Sequence, residues 1–146
     1  MVEVNIAYEG NLRCLATHGP SGSTLRTVAP KDNQGDGSLF SPTDLVATAL
    51  GTCMLTILGI VARRHDIDLS DVTVKVQKEM ATTGIRRIAR LPVEFRLPID
   101  LTPEQQSMFE EAAMKCPVHK SLHTEIQSPV TFIWGKDGSV VHTHGH

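Results

Sequence analysis

Two of the three cysteines lie in settings that could support thiol chemistry. Cys116 opens the stretch "CPVHKSLH", and Pro117 suits the first position of a helix, which predicts Cys116 as the N-cap. Free backbone N–H groups and the positive end of the helix dipole would lower the pKa of a thiol there and favour the thiolate. The alternative interpretation is a small buried hydrophobic residue ahead of a helix.

Cys53 lies inside the apolar stretch "ATALGTCMLTILGI", about three turns into a predicted helix, so the dipole at the helix end cannot activate it. Burial alone would raise its pKa and leave it inert, as an ordinary core residue. A reactive Cys53 therefore needs a neighbouring cation. Arg13 is the first candidate and Arg26 the second, because both lie in predicted N-terminal strands that should pack near this helix. Cys14, in the second strand, is expected to have a packing role.

A metal site is a competing interpretation of the same residues. Cys116, His119 and His123 have the spacing i, i+3, i+7, which follows one helix face, and Cys53 could supply a fourth zinc ligand. The chain has no Cys-x-x-Cys pair, so we predict no metal site. The histidines of the terminal "HTHGH" are expected to have no specific role beyond adventitious metal binding.

The elements that position the thiols follow the predicted order βββ-α-ββ-α-α-β. Alternating apolar residues predict strands, and Ser41 and Thr102 are predicted N-caps of two helices, the first ending at Arg63 or Arg64 and the second near Lys115. The predicted strands are "VEVNIAY", "LRCLATH", "TLRTVA", "DVTVKVQKEMA", "PVEFRLPI" and "PVTFIWG". "CPVHKSLH" predicts a short third helix, and "KDGSVVHTHGH" a tail or an edge hairpin.

This order predicts an α+β fold in which two antiparallel sheets pack around a long central helix. We expect one domain over residues 1–146, with 136–146 a possible tail. Apolar residues cover nearly every face of the long helix, which should therefore be buried on most sides. Residues 45–62 are also long enough to span a membrane. Threonine, glycine and cysteine interrupt that stretch, which favours a core helix.

Composition narrows the class of partner. The net charge of −2, without long runs of one sign, argues against nucleic acid or a membrane as the main partner. The N-terminal "MVEVNIAYEG" has no signal-peptide pattern, and three cysteines are too few for a disulfide-stapled secreted fold. We therefore expect a cytoplasmic protein.

The stretch "SPTDLVATALGTCMLTILGI", followed downstream by "KCPVHKSL", resembles the OsmC/Ohr family, the osmotically inducible protein C and organic hydroperoxide resistance proteins. The resemblance covers nearly the whole chain, including the order of strands and helices. It implies an OsmC-like intertwined homodimer with two active sites at the subunit interface. Within that resemblance Cys53 matches the peroxidatic cysteine and Cys116 the resolving one.

The resemblance also implies a reaction. The Cys53 thiolate would attack the O–O bond of an organic hydroperoxide, and the resulting sulfenic acid would condense with Cys116 to form a disulfide. A dithiol reductant, either a lipoylated protein or a thioredoxin-like donor, would restore both thiols. No metal, haem or flavin is implied. The alternative is a non-catalytic dimer of the same fold that binds an apolar small molecule.

The chain departs from the family pattern at the start of the long helix. The family places a glutamate that holds the active-site arginine directly after the proline, where this chain has Thr43, and the nearest acid is Asp44. Nine residues span about 2.5 helical turns, which places Asp44 on the face opposite Cys53. We expect Asp44 to meet an arginine, Arg13 first, with altered geometry, as part of a separate Ser-Pro-x-Asp-Leu branch.

Overall fold

The computed structural model describes residues 1–145. Its elements follow the order βββ-α-ββββ-α-α-ββ and fall into two units, Met1–Val46 and Ala47–His146. The strands are β1 Val4–Gly10, β2 Arg13–His18, β3 Thr24–Val28, β4 Thr73–Val76, β5 Glu79–Met80, β6 Ile88–Arg90, β7 Val93–Leu97, β8 Val130–Trp134 and β9 Val140–His144. The helices are α1 Pro42–Arg64, α2 Pro103–Ala113 and α3 Pro117–Ser121.

The first unit carries a three-stranded antiparallel sheet in the order β1-β2-β3, as the alternation predicted. β1 and β2 are joined by a tight turn in which Gly10 (φ 86°), Asn11 (φ 54°) and Leu12 (φ 62°) are left-handed. Glycine and asparagine accept this conformation at low cost, whereas leucine rarely does. The turn sets the register that places Cys14 opposite Tyr8.

Helix α1 begins and ends where the sequence predicted, at Pro42 and Arg64. The prediction that it would be buried on most sides was wrong. Its buried residues form one stripe at helical spacing: Ala47, Leu50, Gly51, Met54, Leu58 and Ala62. The other face is open, and Ile60 is 47% exposed, because the elements of this chain cover only one side. By length and composition α1 could also cross a membrane, but the buried stripe fits a core helix.

The second unit contains a four-stranded sheet in the order β4-β7-β8-β9 and a separate two-stranded sheet, β5-β6. The α+β class is confirmed, but the expectation of two antiparallel sheets was wrong in two respects. There is a third sheet, because the predicted strand "DVTVKVQKEMA" divides into β4 and β5, and β5 pairs with β6. In addition, β7 and β8 are parallel, because the segment with α2 and α3 crosses over between them, so that both strands run in the same direction.

Aromatic side chains form the core beneath the four-stranded sheet. Phe95 and Phe132 stack with ring centroids 5.1 Å apart, and Phe109 from α2 meets Trp134 at 6.1 Å. All four side chains are fully buried.

Thr102 is the N-cap of α2 and forms a reciprocal capping box with Gln105, the arrangement that is typical of threonine followed three residues later by glutamine at a helix start. The core therefore fixes α2 on the sheet, with α3 directly following.

Residues 136–144 are not a loose tail. β9 pairs antiparallel with β8 and forms the edge of the four-stranded sheet, which confirms the edge-hairpin alternative. Of the predicted tail, His146 lies outside the described residues.

Candidate thiol site

Cys116 is the N-cap of α3. Its Sγ accepts a hydrogen bond from the His119 backbone N–H at 3.4 Å, and Pro117 occupies the first helical position. The side chain is fully buried. Since proline has no N–H to donate and its φ suits the first turn, the local sequence starts this helix at the residue after the cysteine, as predicted.

Cys53 lies beside Cys116. The two residues are far apart in sequence, yet they lie close enough for Cys53 to affect the pKa of Cys116. Cys53 is half-buried, whereas Cys116 is closed off from solvent. The pair therefore has one thiol that a small reactant can reach and one that is shielded behind it.

The pKa of Cys116 is raised above its ordinary value, which corrects the prediction that the helix N-terminus would lower it. Burial is the largest cause, and the hydrogen bond and the charge interaction with Cys53 raise the pKa further. Hydrogen bonds from the His119 and Val118 backbone amides act in the predicted direction but are outweighed. Cys116 therefore keeps its proton at neutral pH.

Helix α1, which carries Cys53, packs closely against β4 at Gly51. A Cβ atom at Gly51 would lie only 2.8 Å from Cγ2 of Val76, a distance that real Cβ atoms essentially never show. Glycine at this position therefore allows the helix to lie directly on Val76 and Val74. Cys53 follows two residues later, about 200° around the axis of the same helix.

Arg13 and Arg26 both form ion pairs within the first unit. Arg13 Nη2 lies 3.1 Å from Asp36 Oδ2 and 2.9 Å from the Ser38 hydroxyl. Hydrogen bonds from the Ser38 hydroxyl and amide, and then Arg13, hold the pKa of Asp36 below its usual value. Arg26 makes a two-pronged contact with Glu9, at 2.9 and 3.3 Å. The acid that partners Arg13 is thus Asp36, which the sequence reasoning did not consider.

Asp44 closes the N-terminal cap of α1. Its Oδ2 accepts the Ser41 backbone N–H at 2.8 Å, and the Ser41 hydroxyl accepts the Asp44 N–H at 3.1 Å. Ser41 is buried, so both groups need these partners. The cap gives Asp44 a structural role at the start of the helix, one residue after the position at which the family places its glutamate.

The family model described as OsmC-like protein matches residues 35–130, which include both Cys53 and Cys116. The chain belongs to the OsmC-like protein family. This confirms the resemblance carried by the two cysteine motifs. A search of curated protein sequences found no match.

Solved structures similar to this OsmC-like protein agree with its fold. A protein from Psychrobacter arcticus 273-4, provisionally described as an osmotic stress induced and detoxification response protein, is 42% identical with a TM-score of 0.84, covering 90% of this chain and 96% of that one. The organic hydroperoxide resistance protein OhrB of Bacillus subtilis is 18% identical with a TM-score of 0.66, covering 90% and 97%. An organic hydroperoxide resistance protein from Legionella pneumophila is 17% identical with a TM-score of 0.68, covering 90% and 96%. At the lower identities the likeness concerns the fold.

The structure does not arrange the side chains of the zinc alternative as a metal site. Among residues 1–145, no three side chains of histidine, cysteine, aspartate or glutamate are arranged to hold a metal ion. Cys116 uses its sulfur as a helix cap and as the neighbour of Cys53. The His123 side chain is 70% exposed and turns towards Glu125 instead.

The prediction that the terminal histidines do nothing specific was also wrong for two of them. The buried Glu110 carboxylate of α2 accepts hydrogen bonds from His142 Nδ1 and His144 Nε2, both at 2.7 Å, and from Trp134 Nε1 at 2.8 Å. Burial would raise the pKa of Glu110, but together the three donors hold it below its usual value. This Glu110 network ties β9 to α2. The only sequence signal for this network was the spacing of His142 and His144, which lie two residues apart and therefore share one face of a strand.

Proposed function

We propose that this OsmC-like protein is a cysteine-based thiol peroxidase that reduces organic hydroperoxides to alcohols. The observation that carries the proposal is the contact between the half-buried Cys53 and the buried Cys116. Two thiols brought together from distant positions, one accessible and one shielded, form the arrangement that a peroxidatic and a resolving cysteine need. The names of structural relatives, organic hydroperoxide resistance proteins, support the same substrate class.

The proposed reaction has three balanced steps. The Cys53 thiolate attacks the terminal oxygen of the hydroperoxide, the O–O bond breaks, and the other oxygen leaves and takes up a proton from water to give the alcohol. Cys53 is thereby oxidised to a sulfenic acid. The Cys116 thiol then attacks that sulfur, forming a disulfide and releasing water. An external dithiol, a lipoylated protein or a thioredoxin-like donor, reduces the disulfide by exchange and is itself oxidised to a disulfide.

The raised pKa of Cys116 suits the resolving role. A thiol that keeps its proton does not compete with Cys53 for the peroxide, since the thiolate is the nucleophile. It also avoids a second negative charge beside Cys53, because the charge interaction between the two sulfurs opposes it. The proton on Cys116 can leave with the hydroxyl of the sulfenic acid when the disulfide forms. We propose a positively charged side chain, Arg13 or Arg26, as the partner of the Cys53 thiolate.

We propose that the protein works as a homodimer in the cytoplasm. Helix α1, which carries Cys53, is buried along only one face, and Ile60 on it is 47% exposed. On β1, Ile6 and Tyr8 are 68% and 67% exposed. Apolar surface of this kind is typical of a protein–protein interface, and a second copy of the chain is the proposed occupant.

The experiment that tests the function measures consumption of cumene hydroperoxide with dihydrolipoamide as the reductant. Wild-type protein is compared with Cys53→Ser and Cys116→Ser, and Cys14→Ser is the matched control for loss of a thiol elsewhere. We expect background rates for Cys53→Ser and wild-type rates for Cys14→Ser. The Cys116→Ser variant should form a sulfenic acid in a single turnover, detectable by mass spectrometry after trapping with dimedone.

Equal, background-level rates for wild type and Cys53→Ser would contradict the proposal. That outcome would favour the alternative, a non-catalytic dimer that binds an apolar small molecule. Quaternary structure is checked separately by sedimentation, so that loss of the dimer and loss of chemistry are not confused.

A further inference from the structure

Helix α3 is short and takes the sulfur of Cys116 as its N-cap. It has five residues, Pro117–Ser121, and isolated helices shorter than about 12–15 residues are marginal in water. The His119 backbone N–H donates to Cys116 Sγ at 3.4 Å, and the Lys120 N–H donates to the Cys116 carbonyl at 3.0 Å. The next residue, Leu122, is extended, so the helix gains no further turn. The first turn of α3 is therefore held by two groups of Cys116, its sulfur and its carbonyl.

Most of α3 faces solvent. Pro117, Lys120 and Ser121 are exposed, and the Ser121 hydroxyl donates to the Pro117 carbonyl at 2.8 Å. His119 is the buried residue of the helix, at 6% exposed. A residue buried to this degree has little access to water, so its backbone N–H depends on the Cys116 sulfur as acceptor while the helix is closed.

The same sulfur is the atom that the proposed disulfide requires. Both cysteines are free in the structure, and Cys116 Sγ lies where it accepts the His119 N–H. Bonded sulfurs lie closer together than unbonded ones and accept only a narrow range of dihedral angles, so forming the disulfide must move at least one of the two side chains. Once bonded, the Cys116 sulfur takes its position from Cys53 and no longer from the His119 amide.

We expect this movement to fall on α3 rather than on α1. Cys53 lies inside a helix of 23 residues that packs directly on Val76 at Gly51, whereas Cys116 begins a helix of five. Local opening concentrates in segments that have few buried contacts and solvent-exposed hydrogen bonds, and α3 has both properties. The cost of forming the disulfide should therefore appear as opening of α3.

We propose that the Cys116 cap is a redox-sensitive device: it is closed in the dithiol protein, and formation of the Cys53–Cys116 disulfide opens the first turn of α3. The inference rests on the proposed function in one respect, the pairing of these two cysteines as a disulfide. Opening uncovers the Cys116 side of the disulfide, which is fully buried in the dithiol protein, to an external dithiol reductant. Reduction by exchange restores both thiols, and the cap closes again.

The test is hydrogen–deuterium exchange of full-length Cys14→Ser protein in its dithiol and disulfide forms, read residue by residue by NMR. Diamide makes the disulfide without a peroxide. Its azo group takes up two protons and two electrons from the thiols of Cys53 and Cys116 and becomes a hydrazine, while the two sulfurs join. Replacing Cys14 leaves no third thiol for the oxidant, and peptide mass spectrometry without reduction establishes the pairing before exchange is measured.

The matched control is Cys116→Ser in the same Cys14→Ser protein. Serine is a strong N-cap, so it keeps an acceptor for the His119 N–H, but it cannot form the disulfide. The amides of α2, such as those of Phe109 and Glu110, report whether diamide loosens the whole unit.

We expect the amides of residues 118–122 to exchange at least about fivefold faster in the disulfide form, the factor that corresponds to loss of a cap contributing about 1 kcal/mol. The amides of α2 should exchange at the same rate in both forms. Diamide should leave the exchange of residues 118–122 unchanged in the Cys116→Ser control.

Two results would overturn the redox-sensitive cap alone. One is a disulfide form in which residues 118–122 exchange as slowly as in the dithiol form. The other is equal acceleration of residues 118–122 and of α2, which would mean general loosening of the unit. Neither result bears on the proposed peroxidase, which the cumene hydroperoxide assay tests separately. Failure of diamide to join Cys53 and Cys116 would instead overturn both the cap and the proposed resolving step.

Discussion

The substitution Glu110→Gln removes one charge from the Glu110 network while keeping the shape of the side chain. Glu110 is 4% exposed and accepts hydrogen bonds from Trp134, His142 and His144. A glutamine has one acceptor oxygen in place of two, and its NH₂ group would face a donor. At least one of the three donors therefore loses its acceptor.

The cost follows from which donor is left. The two histidine side chains are 45% and 38% exposed and can turn to water, whereas Trp134 is fully buried and cannot. Replacing hydrogen bonds to a charged, buried acceptor with weaker neutral ones should lower the free energy of unfolding by about 1–3 kcal/mol.

The effect of Glu110→Gln should also depend on pH. Folding lowers the pKa of Glu110 below its ordinary value of 4.5. A carboxylate of this kind stabilises the folded protein at pH values above its unfolded pKa, and the contribution is lost as the pH falls through the lower folded pKa. The difference between wild type and variant should therefore be largest near neutral pH and shrink in acid.

Urea denaturation measures this difference, followed by circular dichroism and by the fluorescence of the chain's only tryptophan. All proteins are compared at one concentration, because the proposed dimer would make stability concentration-dependent. Glu111→Gln is the matched control, since it makes the same change at the next, exposed residue. If the two variants differ by less than about 0.5 kcal/mol, within the range of ordinary surface substitutions, the network does not stabilise the fold and our reasoning is refuted.

Two further predictions concern α1 and the thiol pair. Gly51→Ala should destabilise the protein by about 1–3 kcal/mol, because the new Cβ would lie 2.8 Å from Val76 Cγ2. Gly59→Ala is the control: its Cβ would have open space, so it should be neutral or stabilise the protein by up to about 1 kcal/mol. Similar stabilities of the two variants in thermal unfolding would contradict the packing argument. Alkylation of Cys116 should stay slow until the pH exceeds the ordinary thiol range, because the pKa of Cys116 is raised. In Cys53→Ser the pH midpoint of this alkylation should fall, because Cys53 contributes to the raised pKa. A midpoint measured by iodoacetamide mass labelling that is the same in both proteins would show that Cys53 does not act on Cys116.

The start and end of the helices could be predicted from the sequence, because their causes are local. Ser41, Thr102 and Cys116 cap helices whose first residue is proline, and each contact joins groups within a few residues. The family could be predicted for a related reason, since the two cysteine motifs carry its pattern. The parallel pairing of β7 with β8 and the separate β5–β6 hairpin were missed, because strand alternation does not specify which strand lies next to which.

The chemistry of the site depended on contacts that only the tertiary structure decides. The sequence placed Cys116 at a helix N-terminus and predicted a lowered pKa, but burial and the neighbouring Cys53 reversed the direction. Two of the partners of Glu110, His142 and His144, lie on β9, in a segment predicted as a tail or an edge hairpin. Backbone caps act over one helical turn, so a short stretch of residues encodes them. The proton affinity of a buried group is instead set by which atoms surround it, and packing brings those atoms together from positions that are distant in the chain.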